Sequence, residues 1–103
     1  MRVQTKQDII SKILSNREKI LSFGVARLGM FGSFVRNEHQ EDSDVDFLVE
    51  FKKGEKNYRN LFDLHETLHD LTQRRVEVVT KEGLSKYFGH HILSETEYVL
   101  QSS

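Results

Sequence analysis

The spacing of apolar residues predicts two amphipathic helices. Apolar side chains recur at helical intervals from Ile9 to Leu21, and again from Leu61 to Leu71. Thr5 stands three residues before Asp8, which is a capping signal for the start of the first helix. Gly24 can end that helix in a left-handed conformation. We therefore expect one amphipathic helix that ends near Gly24 and a second over Leu61–Leu71.

Three shorter apolar runs predict strands: VARLGMF at 25–31, VDFLVEF at 45–51 and RVEVV at 75–79. In the second run every other residue is apolar, as in a strand with one buried face. Residues 84–100 have the apolar spacing of one or two final helices. A strand, a helix and a strand in succession favour a mixed or parallel sheet with helices packed on it. The predicted fold class is α/β (α+β), with a small mixed sheet.

The amino-acid composition excludes several classes of protein. A length of 103 residues with 37% hydrophobic content predicts a single domain over residues 1–103. The net charge of −1 argues against broad nucleic-acid binding, which needs a basic face. The sequence contains no cysteine, which fits a reducing cytoplasm. It also has no run of 18 apolar residues and no apparent signal peptide. We therefore expect a cytoplasmic protein that does not bind membranes.

Two carboxylates open the second predicted strand. Asp44 and Asp46 are two residues apart, so their side chains point to the same side of the strand, with Cα atoms about 7 Å apart. Like charges placed so closely destabilise one another unless a cation lies between them. Magnesium prefers oxygen ligands and often binds carboxylates together with substrate phosphates. The pair therefore predicts a magnesium site, and two ions can serve a phosphoryl displacement.

A phosphate-binding element precedes this pair. Gly32 and Ser33 follow the first predicted strand, where a glycine allows a phosphate to approach the backbone. A short helix beginning near Ser33 would direct its amides at the anion. Arg36 adds a positive charge suited to phosphate oxygens, although it could equally be an ordinary surface cation. Together with the aspartates, these residues predict a site for a nucleoside triphosphate.

The segment GSFVRNEHQEDSDVDFLV, residues 32–49, resembles the GSxxR…SDxDxxV signature of the minimal nucleotidyltransferases, small relatives of the polymerase-β-like nucleotidyltransferase superfamily. The resemblance implies that fold, with three to four strands flanked by helices, and Mg²⁺-dependent transfer of a nucleoside monophosphate, such as AMP from ATP, to a hydroxyl. It implies triphosphate binding by Gly32 and Ser33, and two metal ions held by Asp44 and Asp46. The third family carboxylate falls at Glu77.

The resemblance also implies a partner. Members of this kind act as antitoxins beside a HEPN-domain ribonuclease toxin, whose tyrosine they nucleotidylate, and a homo- or hetero-oligomer is consistent with that role. The third carboxylate of the family is usually aspartate, and Glu77 reaches one methylene further. An offset of about 1 Å can cost about a hundredfold in rate. A binding module that neutralises its partner by contact therefore remains an alternative, and Glu77 could instead form a simple ion pair.

One further motif predicts different chemistry. HETLH, residues 65–69, matches the H-E-x-x-H pattern of zinc proteases, with His65 and His69 on one helical face. Glu95 or Glu97 would supply a third zinc ligand. The leucines of the same helix mark a buried stripe beside these histidines, which favours a packing role. We treat the zinc protease as the least favoured alternative. The tyrosines at 58, 87 and 98 are expected to be partly buried aromatics.

Overall fold

The structure, a computed structural model, describes residues 2–84 and 89–102. The elements in chain order are α1 (Lys6–Ser15), α2 (Arg17–Leu21), β1 (Val25–Phe31), β2 (Val45–Phe51), α3 (Tyr58–Thr72), β3 (Val76–Thr80), a 3₁₀ helix (Lys81–Gly83), α4 (Gly89–Glu95) and β4 (Glu97–Gln101). This mixed arrangement of helices and strands confirms the predicted fold class.

The first predicted helix is two helices. The capping box is present: the Thr5 hydroxyl accepts from the Asp8 amide, and the Asp8 carboxylate accepts from the Thr5 amide. Asn16 interrupts the helix at φ −121° and ψ 22°, so that α1 ends and α2 begins there. Gly24 has φ +78° and turns the chain into β1, as predicted.

The four strands form one mixed sheet in the order β3-β2-β1-β4. β1 pairs antiparallel with both β2 and β4, whereas β2 and β3 are parallel and α3 makes the crossover between them. In this register Phe31 of β1 faces Asp46 of β2, and Asp46 in turn faces Glu77 of β3. The C-terminal end of β1 and the N-terminal ends of β2 and β3 therefore lie at the same end of the sheet.

The core lies between one face of the sheet and the helices α1 and α3. Ile9 and Ile13 of α1 and Leu64 and Leu68 of α3 are fully buried. They share the core with alternate residues of β2: Val45, Phe47 and Val49. The alternation leaves Asp46, Leu48 and Glu50 on the opposite face, and of these Leu48 is also fully buried. The carboxylate of Asp46 is therefore presented on the face opposite α1 and α3.

The prediction of helices across residues 84–100 is only partly correct. α4 covers Gly89–Glu95, but residues 97–101 form β4, which pairs with β1 at the edge of the sheet. Tyr98 and Val99 have strand propensity, and pairing with the available edge of β1 outweighs the helical spacing. Phe88, which belongs to the predicted apolar set, and Tyr87, which was expected to be partly buried, lie outside the described residues. No helix within the described ranges is long and apolar enough to cross a membrane.

Candidate active site

Asp46 and Glu77 form the centre of the candidate site. They are direct neighbours in the parallel register of β2 and β3, so their side chains project from the same face of the sheet. Asp44 precedes β2, and one of its oxygens accepts from Nε of Arg75 at 3.2 Å. Arg75 and Glu77 are two residues apart on the strand path, so Asp44 lies on this face as well. The structure thus brings together the three carboxylates that the sequence proposed.

The electrostatics of this cluster favour a bound cation. Burial raises the pKa of Asp46, the charges of Glu77 and then Asp44 act in the same direction, and the resulting pKa is about 6. The positive charge of Arg36 acts in the opposite direction and does not compensate. The ionised form of Asp46 is disfavoured by burial and by the two neighbouring carboxylates, and a nearby positive charge would stabilise it. Such a cluster suits a divalent cation with oxygen ligands.

Gly32 fits tightly against Asp46. Its φ is +82°, in the left-handed region, and a Cβ built on it would stand 2.1 Å from Oδ2 of Asp46. A side chain at this position would therefore strain the backbone and would push the Asp46 carboxylate aside. The main chain of the Gly32-Ser33 segment therefore lies in direct contact with the carboxylate cluster, where a polyphosphate bound by one would meet the other.

The helix expected near Ser33 is a single turn. The amides of Val35 and Arg36 both donate to the Gly32 carbonyl, and the chain is then closed by Asn37 in a left-handed conformation, φ 60°. The Glu38 amide donates to the Ser33 carbonyl, which completes a Schellman closure. The prediction of a helix was wrong here, so a phosphate at this loop would depend on local amides and the Ser33 hydroxyl rather than on a helix dipole.

Arg36 is held by two carboxylates that the sequence did not indicate. Its Nε donates to Glu38 at 2.7 Å, and its Nη1 pairs with Glu95 at the end of α4. Both contacts raise the pKa of Arg36, which stays charged. The charge lies within electrostatic range of Asp46, on the side of the site that carries the Gly32-Ser33 turn. Glu95 is 59 residues away in the chain, and no sequence spacing predicts the contact.

The buried Arg74 organises the loop before Asp44, and sequence reasoning missed it. The residue is 5% exposed, and its guanidinium donates to the carbonyls of Val3, Glu41 and Ser43 at 2.8, 2.8 and 3.1 Å. The same group lies 5.0 Å from the ring centroid of Phe34, which follows Ser33. One buried cation thus joins the Gly-Ser turn to the segment that leads into the aspartates. In the sequence, the burial of Arg74 is indicated only by its position directly after Gln73, the C-cap of α3.

The donor set fits magnesium, although the ligand geometry is not preformed. Asp44, Asp46 and Glu77 supply the carboxylate oxygens that this ion prefers. Within residues 2–84 and 89–102, no group of three or more His, Asp or Glu side chains is arranged as a ready metal site. One oxygen of Asp44 accepts from the exposed Arg75, so a metal ion at Asp44 would compete with this ion pair.

The zinc-protease alternative is wrong. Nε2 of His65 donates to the Val76 carbonyl at 3.2 Å, and His69 is exposed beside Asp70. The two candidate third ligands are engaged elsewhere, Glu95 with Arg36 and Glu97 with Lys6. These four side chains are therefore not gathered around one metal position. The HETLH match follows from helix packing, with the buried Leu68 between the histidines.

The shared fold and this arrangement of residues define a class of protein. A family profile described as a nucleotidyltransferase domain matches residues 8–99, which is most of the chain. The chain therefore belongs to the nucleotidyltransferase domain family, as the segment 32–49 indicated. It is a nucleotidyltransferase.

Individual relatives show which nucleotidyltransferases the chain is similar to. The chain is 36% identical over 100 residues to protein adenylyltransferase MntA of Thermococcus cleftensis, a match that covers 96% of this chain and 100% of the relative. A solved structure assigned to the minimal nucleotidyltransferases is 33% identical, with a TM-score of 0.69, over 85% of this chain and 93% of that one. A complex of a tri-AMPylated HEPN toxin with an MNT antitoxin, from Shewanella oneidensis, gives a TM-score of 0.65 over 93% of this chain and 72% of that one. At 14% identity, this last similarity establishes the fold alone.

Proposed function

We propose that this protein is a Mg²⁺-dependent protein adenylyltransferase that acts as an antitoxin. It would transfer AMP from ATP to a tyrosine hydroxyl of a HEPN-domain ribonuclease toxin and so inactivate the toxin. The observation that carries the proposal is that Gly32, directly after β1, lies against the carboxylate of Asp46 in β2, which in turn is paired with Glu77 in β3. A phosphate-binding turn and a carboxylate cluster in contact are what adenylyl transfer from a triphosphate requires.

The relatives support both the reaction and the acceptor. The Thermococcus cleftensis relative is named a protein adenylyltransferase, and it aligns over its whole length. The Shewanella oneidensis complex contains an AMPylated HEPN toxin beside an antitoxin of the same fold. A protein acceptor also suits the position of Glu77, which is exposed on β3, a strand at the edge of the sheet. Since the reaction consumes ATP, we place the protein in the cytoplasm.

In the proposed mechanism, Gly32 and Ser33 bind the triphosphate, and Arg36 adds positive charge at the same side. Asp44, Asp46 and Glu77 would hold two magnesium ions. Bound magnesium supplies charge neutralisation for the phosphates and lowers the pKa of a coordinated hydroxyl. The tyrosine oxygen attacks the α-phosphorus, a new P–O bond forms, and the bond to the β-phosphate oxygen breaks to release pyrophosphate.

Glu77 has a distinct place in this scheme. It lies on the far side of Asp46 from Gly32, and therefore on the side from which an attacking hydroxyl would approach in line with the departing pyrophosphate. Its carboxylate is exposed and can accept the proton of that hydroxyl. The additional methylene relative to aspartate extends its reach toward an acceptor that arrives from the edge of the sheet.

The decisive experiment measures the intact mass of a purified HEPN partner after incubation with this protein, ATP and Mg²⁺. The proposal expects the partner to gain the mass of one or more AMP units, and Asp44→Asn to abolish the gain. Asp42→Asn is the matched control, because Asp42 is an exposed acid in the same loop. If the wild type and Asp44→Asn protect the partner equally without a mass change, the protein acts by contact and the adenylyltransferase proposal fails.

A further inference from the structure

The outer edge of the sheet next to Glu77 is open. β3 is the last strand in the order β3-β2-β1-β4, so its far side has no neighbouring strand among the described residues. The Val45 amide donates to the Arg75 carbonyl at 3.0 Å, which shows that the polar groups of residue 75 point toward β2. Because these groups alternate along a strand, those of residues 77 and 79 also point toward β2, and those of residues 76, 78 and 80 point outward.

The contact made by His65 agrees with this alternation. Its Nε2 donates to the Val76 carbonyl from outside the sheet and so covers the first outward position. The N–H and C=O of Val78 form the next outward pair. A strand placed beside β3 would therefore pair at Val78, one residue beyond Glu77.

An apolar groove runs along this edge. It has a volume of about 200 Å³ and is lined by Tyr58, Leu61, Phe62, His65 and Val78. Tyr58 is 83% exposed and Phe62 is 51% exposed, and their rings stack with centroids 6.5 Å apart. The expectation that Tyr58 is partly buried was therefore wrong. Two large aromatic side chains at the start of α3 therefore face solvent next to the outer edge of β3, which no described strand covers.

The positions of the site residues across the sheet indicate that the acceptor hydroxyl would approach from this edge. Gly32, which follows β1, lies against the carboxylate of Asp46 in β2, Glu77 of β3 lies next to Asp46, and the open edge lies beyond Glu77. With the triphosphate bound at Gly32, in-line displacement requires the acceptor oxygen to arrive from the opposite side. That side is the Glu77 side, which is continuous with the open edge and the groove.

We propose that the acceptor protein binds here through an extended segment that adds as a fifth strand to β3, with its tyrosine opposite Glu77. This inference rests on the proposed function and names how its substrate is recognised. Cross-strand neighbours point to the same face, so the tyrosine would project toward Asp46 and Glu77. Its two flanking residues would project into the groove beside Tyr58 and Phe62. The expected acceptor motif is therefore apolar–Tyr–apolar in an extended conformation.

The first test uses Phe62→Lys, with Leu14→Lys as the matched control. Leu14 is similarly exposed, at 41%, but lies on α1. With a HEPN partner protein and saturating ATP, Phe62→Lys should raise the KM for the partner at least about tenfold, while the KM for ATP stays at the wild-type value. Leu14→Lys should match the wild type. A wild-type KM for the partner in Phe62→Lys would overturn the inference, as would a change in self-association of this chain with no change in that KM.

The second test probes the backbone pairing directly. Peptides that span the acceptor tyrosine are N-methylated at the residue before it, at the residue after it, or at the tyrosine itself. In antiparallel addition the tyrosine opposite Glu77 belongs to a non-hydrogen-bonded pair and its N–H faces away from β3, so methylation there should be tolerated. Methylation of the neighbour that pairs with Val78 should lower the modification rate at least about tenfold. Equal rates for all three peptides would exclude strand addition.

These outcomes separate the two proposals. If the wild type modifies the HEPN partner but Phe62→Lys does so equally well, only the strand-addition inference fails. If the wild type leaves every partner and peptide unmodified in ATP and Mg²⁺, the proposed function fails and the inference falls with it.

Discussion

Gly32 lies against the carboxylate of Asp46 so closely that a Cβ at residue 32 would stand 2.1 Å from Oδ2. The turn that would bind a triphosphate and the strand that would bind its metal ions are therefore one packed unit. Two features of this position favour glycine: its left-handed φ, and the Asp46 carboxylate in the space that a Cβ would fill. A second glycine in the chain, Gly54, shares the first feature and not the second, because its φ is +81° and a Cβ there would have no atom within 4 Å.

These two glycines provide a matched pair of substitutions. Gly32→Ala should lower adenylyl transfer at least about a hundredfold, because the methyl group displaces Asp46. Gly54→Ala should keep wild-type activity and lose only about 1 kcal/mol of folding free energy to the strained φ. Activity assays and denaturant unfolding of both variants check this. Equal activity losses would show that backbone strain matters and that contact with Asp46 does not.

Asp46 should destabilise the protein when no cation is bound. Its pKa is raised in the folded state to about 6 from an ordinary value of 3.8, so the folded protein holds the proton more tightly than the unfolded chain does. Stability should therefore fall as pH rises from about 4 to about 6 and stay reduced above that range. Because the side chain is only partly buried, solvent screening reduces the effect, and Asp46→Asn should be more stable than the wild type at pH 7.5 by an amount on the order of 2 kcal/mol.

This gain should disappear by about pH 4, where the wild-type carboxyl is largely protonated in the folded state and half protonated in the unfolded chain. Thermal unfolding in EDTA, from acidic to mildly alkaline pH, measures the difference, with Asp42→Asn as a control for the loss of one exposed charge. If Asp46→Asn were less stable than the wild type at pH 7.5, the carboxylate would have a favourable protein partner instead of an uncompensated charge.

The guanidinium of Arg74 should contribute both to the free energy of unfolding and to ATP binding. Its three carbonyl contacts need the fork of a guanidinium, and lysine presents a single ammonium in its place. We expect Arg74→Lys to lose about 2 kcal/mol of unfolding free energy and to weaken ATP binding, because the loop before Asp44 loosens. Arg75→Lys is the neighbouring control: Arg75 is mostly exposed, and its substitution should change stability by less than about 0.5 kcal/mol. Urea unfolding and ATP titration of the two variants would contradict this account if they gave similar values.

The role proposed for Glu77 can be separated from nucleotide binding. Glu77→Gln keeps the length and removes the charge, so the rate of transfer to the partner at saturating ATP should fall at least about a hundredfold. The KM for ATP should change less than the rate, because Gly32 and Ser33 still bind the triphosphate and Asp44 and Asp46 still offer metal ligands. Steady-state kinetics with the HEPN partner make this distinction. A full rate in Glu77→Gln would assign the proton transfer to another group or to solvent.

Much of this fold follows from local pattern. The bounds of β1 and β2 coincide with the apolar runs at 25–31 and 45–51, and the capping box at Thr5 follows from two residues at the right spacing. The juxtaposition of Asp46 and Glu77 depends only on a parallel pairing of two short strands, and the crossover through α3 makes that pairing the expected one. Sequence patterns of this kind report what a segment does by itself.

The features that could not be predicted depend on distant contacts. β4 is a strand because β1 offers it an edge, although its apolar spacing also fits a helix. The pairing of Arg36 with Glu95 and the burial of Arg74 under the loop before Asp44 each join segments more than 30 residues apart. A charge that is buried or ion-paired is indistinguishable in sequence from one that is solvated, so the electrostatic surroundings of the site emerge only from the fold.

The proposed reaction depends on a triphosphate that binds through magnesium to the carboxylates at the N-terminal ends of β2 and β3, beside the Gly32-Ser33 turn. Calorimetric titration with a non-hydrolysable ATP analogue tests this binding most directly, in the presence of Mg²⁺ and in EDTA. We expect the wild type to bind the analogue only with Mg²⁺, and Asp46→Asn to bind at least about a hundredfold more weakly under the same conditions. Equal affinity of the wild type and Asp46→Asn, or equal affinity with and without Mg²⁺, would contradict the account.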